Sequence, residues 1–271
     1  MKTQNIYIQN TNFKSGLTCK IIKDIKSTNV AKTQEDFKKI GMNADFKGKQ
    51  AICANFVYAT NILYDLSEKF KLPFDFVPYA VRVYENKELC KPGEYRAFSI
   101  NDTGKILTDE PSFIGGSIFF NSNHSGLFQS NQLADKDYKN GRRSSSHFLT
   151  NTLHEWFHTI HMDLMYKKLG YEGECPILRD EYHKEGVNNG LTEYERLSNV
   201  DLKDLPESFK RYIGSYAIEE NSLLEVFAEL MTKITTDSLD KNLNVIKNPL
   251  DNLPKDLPEK VKFELERTLD I

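Results

Sequence analysis

Nowhere does this sequence hold a run of apolar residues approaching the roughly 18 that a membrane-spanning helix needs. No membrane span is therefore expected. The opening residues Met1 to Asn5 lead into polar sequence without the apolar stretch of a secretory signal. The expectation is a soluble protein, cytoplasmic or exported by a non-standard route. Cysteine is scarce: Cys19, Cys53, Cys90 and Cys175 are four in 271 residues, and no two form a C-x-x-C pair. That argues against a cysteine zinc site and leaves free thiols as the default. Excess positive charge is missing too. Lys and Arg total 36 against 39 Asp and Glu, a net charge of -3, so the broad positive field of a nucleic-acid binder is absent.

What is present suffices to fold. Hydrophobic residues make up 39% and aromatics 11%, enough for a sizeable core, and the 28% of charged residues suits an ordinary surface. Residues 1–45 are polar and rich in Lys, Asn and Thr, and read as a loosely structured or separately packed arm. One domain is expected over residues 46–271. Its first strong pattern is helical: Ile52, Phe56, Ala59, Ile62, Leu63 and Leu66 recur at helix spacing between Gln50 and Phe70, and Pro73 stops the run. Strands are expected at Phe74–Tyr84, Tyr95–Ile100 and Gly116–Asn121, each rich in β-branched or aromatic residues or bounded by turn signals. The serines Ser144, Ser145 and Ser146 offer N-caps for a long helix from about His147 to Leu169, with Gly170 placed to cap its end. Residues 173–203 are charged and broken by Pro176, Gly186 and Gly190. Helical spacing returns over Glu219–Ile234 and Pro258–Leu269. This order implies an α+β domain with a small mixed or antiparallel sheet and a helical C-terminal part.

Within the long helix stands His154-Glu155-Trp156-Phe157-His158, an H-E-x-x-H sequence. Histidines four apart lie one above the other on a helix face, so both imidazoles can reach one metal ion. Glu155 is offset by one residue, which lets it reach a water on that metal rather than the metal itself. The chemistry implied is a zinc-dependent hydrolase with one Zn2+ per chain, Glu155 serving as general base. Apolar Leu149, Leu153, Phe157, Ile160 and Leu164 supply the packing face of such a helix.

A catalytic zinc site takes a third protein ligand and keeps one position open. His161 follows His158 on the same helix, but it sits about 10 Å along the axis from His154. Three imidazoles from one straight helix converge poorly, and His161 fits better beside the ligands or facing substrate. His183 lies in the charged segment, where a solvated loop histidine is expected. Glu225, in Glu225-Val226-Phe227-Ala228-Glu229, sits on a later helix that is apolar nearly all round. Glu229, four residues on, shares its face. Buried carboxylates need partners, so one can bind the metal while the other accepts the free ring N–H of a ligand histidine.

Together, His154-Glu155-Trp156-Phe157-His158 and Glu225-Val226-Phe227-Ala228-Glu229 resemble the catalytic domain of anthrax lethal factor and its relatives, zincins with an E-x-F-A-E third-ligand helix. The resemblance spans about residues 50–235. It implies a zincin-like metallopeptidase in which His154, His158 and Glu225 are ligands, Glu155 is the base and Glu229 supports a histidine. It also implies a tyrosine near the oxyanion: Tyr216 is the nearest match and Tyr212 the reserve. The strand Gly116–Asn121 would be the sheet edge bordering the cleft, where an extended protein or peptide substrate could pair. The alternative function is a metal-binding or interaction module that has kept the scaffold without the chemistry.

Overall fold

A computed structural model of the chain describes residues 29–39, 42–74, 80–84, 93–96, 117–121, 127–168, 196–197 and 200–271. The expectations for residues 1–28, for Gly170 and for His183 lie outside them. The described elements are mostly helical with one small mixed sheet. None of these helices is long and apolar enough to cross a membrane.

Helix α1 (Val30–Lys39) leads to strand β1 (Asn43–Asp45), then to helix α2 (Gln50–Phe70), which matches its expected bounds. Strands β2 (Ala80–Tyr84), β3 (Gly93–Arg96) and β4 (Ser117–Asn121) complete a sheet of order β1-β2-β4-β3. β1, β2 and β4 run parallel, and β3 pairs antiparallel with β4, Tyr95 opposite Ile118. Helix α3 (Leu127–Lys139), absent from the sequence reading, precedes α4 (Thr150–Lys168), the H-E-x-x-H helix. Then follow α5 (Glu207–Ile213), α6 (Ser215–Glu219), α7 (Leu223–Thr236), a 3-10 turn at Pro249–Asn252 and α8 (Glu259–Leu269).

The core is built by apolar faces meeting. α2 brings Phe56 to Trp156 of α4, ring centroids 4.4 Å apart, and Phe74 meets Phe157 edge-on at 5.5 Å. α7 buries Leu223, Val226, Phe227, Leu230, Met231 and Ile234 and packs along α4. Fully burying one such side chain contributes about 1.5–3 kcal/mol, so this pairing is what holds α4 and α7 in register.

Three expectations need correction. The arm boundary at residue 45 falls inside the fold: β1 pairs with β2, and Phe37 packs against Phe56 with centroids 5.6 Å apart. α1 buries only Thr33 and Phe37, too short a stripe to stand out in polar sequence. The strand expected at the sheet edge, β4, lies between β2 and β3; among the described strands β3 is the edge on that side. Finally, the helical run expected from Glu219 is broken. Asn221 adopts φ 49°, and α7 starts only at Leu223.

Candidate metal centre

α4 places His154 and His158 one turn apart on the face turned to α7, and α7 presents Glu225 and Glu229 on its own facing stripe. The result is a triangle of ligand atoms. His154 Nε2 is 3.0 Å from Glu225 Oε2, His158 Nε2 is 3.4 Å from the same oxygen, and the two Nε2 atoms are 3.1 Å apart. Among the described residues, His154, His158 and Glu225 form the group that could hold a metal ion.

Two observations test whether these residues suit one. The first is size. Atoms bound tetrahedrally at about 2.1 Å lie about 3.4 Å from each other, close to the edges of this triangle. The second is polarity. Glu229 Oε1 sits 3.1 Å from His154 Nδ1, so in the neutral ring that nitrogen carries the proton and donates it to the carboxylate. Nε2 then faces Glu225 Oε2 with lone pair against lone pair. Acceptors converging so closely need a cation between them. With no metal bound, a proton on Nε2 fills that place. Burial and the Arg143 guanidinium oppose a charged His154, yet Glu225 and Glu229 outweigh them and lift its pKa to about 9. Burial would likewise raise the Glu225 carboxyl, but His158 and His154 hold it well below the usual carboxylate range.

Glu155 follows His154 on α4 and is buried, and desolvation raises its pKa, with the charges of His154, His158, Glu225 and Arg143 acting on it. Glu225 keeps 19% of its side chain exposed and His158 9%, against 2% for His154, so solvent reaches the triangle from the Glu225 side. Tyr216 stands next to His154, ring centroids 5.9 Å apart. Burial, then the Glu225 carboxylate, push its phenol pKa upward, so it remains a neutral donor. Tyr212 is turned away and donates to the Asn252 carbonyl oxygen at 3.0 Å.

The structure thus brings together His154, Glu155, His158, Glu225, Glu229 and Tyr216. His161 is not among them. It is fully buried, lies tilted against Phe227 with ring centroids 4.2 Å apart, and its Nε2 is turned to Glu264 of α8 at 3.1 Å.

Two participants escaped the sequence reading. Arg143 Nη1 donates to Glu229 Oε1 and lies 3.3 Å from His154 Nδ1. Ser144 donates to Glu229 Oε2 from its backbone N–H at 3.0 Å and its hydroxyl at 2.7 Å. Ser144, expected as a helix cap, is instead a carboxylate partner, and α4 begins at Thr150. The signal available for both was indirect: a buried Glu229 needs a counter-charge and donors, and the Arg142-Arg143-Ser144 run just before the metal helix offers them.

A tight junction carries these residues to the site. Ser215 N donates to Gly141 O at 2.8 Å and Tyr216 N to Arg142 O at 3.0 Å, laying residues 214–216 along residues 141–143. At Gly214, φ is +83° and an added Cβ would stand 2.5 Å from Arg142 O, so only glycine lets the two segments approach.

No protein-family model, curated protein or solved structure matches the chain.

Proposed function

We propose that the chain is a zinc-dependent endopeptidase of the zincin type, acting on a protein or peptide and similar in its site to the lethal factor catalytic domain. The observation that carries this reading is the triangle of His154, His158 and Glu225 with a buried carboxylate, Glu155, on the turn of α4 between the two histidines. A module that only bound metal would gain nothing from that fourth group, whose burial is costly. Zinc is favoured by the ligand set of two imidazoles and one carboxylate, which suits a four-coordinate ion with one open position.

A zinc ion held there supplies Lewis acidity toward a carbonyl oxygen and a water molecule. The remaining work falls to the chain. Glu155 takes the proton of the attacking water and returns it to the departing amine, and its raised pKa suits a group that must hold that proton in between. The Tyr216 phenol, kept neutral, is placed to donate to the developing oxyanion. Glu229 fixes the His154 ring through Nδ1. Strand β3, antiparallel to its neighbour and packed against α4, is the outer strand on that side among the described strands, and an extended peptide can pair with such an edge.

The test has two parts. Elemental analysis of the purified protein should give about one zinc per chain, lost in the His154→Ala, His158→Ala double variant. Casein or a peptide library should be cleaved, and a chelator should stop the cleavage. Metal retained by the double variant ends the metal assignment; bound zinc without cleavage of any peptide bond favours the binding-module alternative.

A further inference from the structure

Arg143 is buried at this centre, exposed by only 8%, and its contacts run in three directions. Its edge donates to Glu229 Oε1. The same nitrogen lies 3.3 Å from His154 Nδ1. Its face lies on the Tyr216 ring, with Cζ 4.1 Å from the ring centroid. A guanidinium donates from its rim and stacks through its plane, whereas a lysine ammonium has no plane. The other Glu229 oxygen is taken by the Ser144 N–H and hydroxyl. Among the described residues, the partners of this carboxylate therefore come from the loop before α4 or from His154 itself. Glu229 is fully buried and directly paired with the guanidinium, and taking away one member of a buried pair leaves the other uncompensated.

We propose that Arg143 is a positioning residue of the metal centre: it is the counter-charge that keeps the Glu229 carboxylate aimed at His154 Nδ1, and the Tyr216 ring holds it in place. The inference rests on the reading of His154, His158 and Glu225 as a metal site. His154 reaches the metal correctly only if its ring is held from behind, Glu229 holds it only as a fixed charge, and Arg143 fixes that charge.

The experiment is a chelator competition for zinc, with a thermal melt of every variant. Arg143→Met should bind zinc about 10–100-fold more weakly than wild type, the loss typical of removing support behind a ligand. Arg143→Lys, which keeps the charge and loses the plane, should lose less. The Arg143→Met, Glu229→Gln double variant leaves no buried charge unbalanced, so it should match Glu229→Gln alone instead of adding both losses. Tyr216→Phe keeps the ring face and should leave zinc affinity within about twofold of wild type, whereas Tyr216→Leu removes the face and should weaken binding. An arginine that merely supported the fold would lower the melting temperature and leave zinc affinity unmoved at temperatures where the variant is folded. That result, or additive losses in the double variant, overturns the proposal. Should Arg143→Met fail to fold, the double variant and Arg143→Lys decide: a double variant weaker than Glu229→Gln, or Arg143→Lys equal to wild type, counts against it. If wild type binds no zinc, the metal reading itself fails; if wild type binds and the Arg143 variants bind equally, only this proposal does.

Discussion

Replacing Gly214 by alanine puts one methyl group into the junction that brings Tyr216 and Arg143 together. The backbone there has φ +83° and ψ 163°, a region open almost only to glycine, and holding another residue in it costs about 1–3 kcal/mol. The new Cβ would also lie 2.5 Å from Arg142 O and 2.9 Å from the Arg143 carbonyl carbon, both backbone atoms that cannot swing aside as a side chain would. Forced contacts of this kind cost about 1–3 kcal/mol more. At about 2–4 °C per kcal/mol for a chain of this size, Gly214→Ala should melt on the order of 5–20 °C below wild type. Circular dichroism at the helix band gives the measurement, in chelator so that metal binding does not contribute. Gly141 is the control: it also has positive φ, 69°, but nothing stands within 4 Å of its added Cβ, so Gly141→Ala should carry the backbone cost alone. If Gly214→Ala melted within about 2 °C of wild type, well under the expected cost, the close approach of residues 141–143 to residues 214–216 would be wrong.

Other substitutions separate the roles of the site residues. Glu155→Gln should keep the zinc content and melting temperature of wild type while turnover of a peptide substrate falls by about 10² or more; unchanged turnover would remove Glu155 from the mechanism. Glu229→Gln should bind zinc about 10–100-fold more weakly than wild type yet more tightly than Glu225→Gln, and the opposite order in a chelator competition would mean ligand and supporter are exchanged. At the far end of α4, burial works against the Glu264 charge, but His161 and then Arg196 hold its pKa down at about 2 from an ordinary 4.5. Arg267, at 3.7 Å, and the Thr268 hydroxyl, at 3.4 Å, also face it. A carboxyl depressed on folding stabilises above its unfolded pKa and loses that stability as pH falls toward the folded one. Melts of the metal-free protein should therefore drop between about pH 4.5 and 2, and Glu264→Gln should flatten that limb; equal slopes would contradict the assignment.

The residues that convergence along a helix can reveal were legible before the fold was known. His154 and His158 at four-residue spacing, and Glu225 and Glu229 at the same spacing, each share a face by helix geometry alone, and the apolar residues around them say which face is covered. That α4 and α7 meet follows from both having such a face. Arg143 and Ser144 lie in a loop, where no period marks them, and their partner Glu229 is 86 and 85 residues away. His161 shows the limit of periodicity. Its position on α4 is plain, but its partner Glu264 is 103 residues further on, and nothing local points there. Strand order is hidden for a similar reason: the pattern of β4 gives its pleat but not its neighbours, and it lies inside the sheet where an edge was expected.

Those long separations bear on the order in which the molecule forms. Helices α4 and α7 can each coil within microseconds, since their hydrogen bonds are local. The triangle cannot, because His154 and Glu225 are 71 residues apart and the Arg143–Glu229 pair closes a loop of 86. Loop closure of this span must precede any reward from the contacts, and topologies ruled by distant contacts fold slowly. The centre is thus expected to be among the last parts of the chain to assemble. Until α4 and α7 dock, the unfolded chain offers a metal two histidines and no third ligand held nearby. A metal ion that binds only the assembled centre stabilises the native state by mass action without speeding its formation. Zinc added during refolding should then leave the folding rate unchanged and slow only unfolding, the signature of a bond made after the folding barrier is crossed.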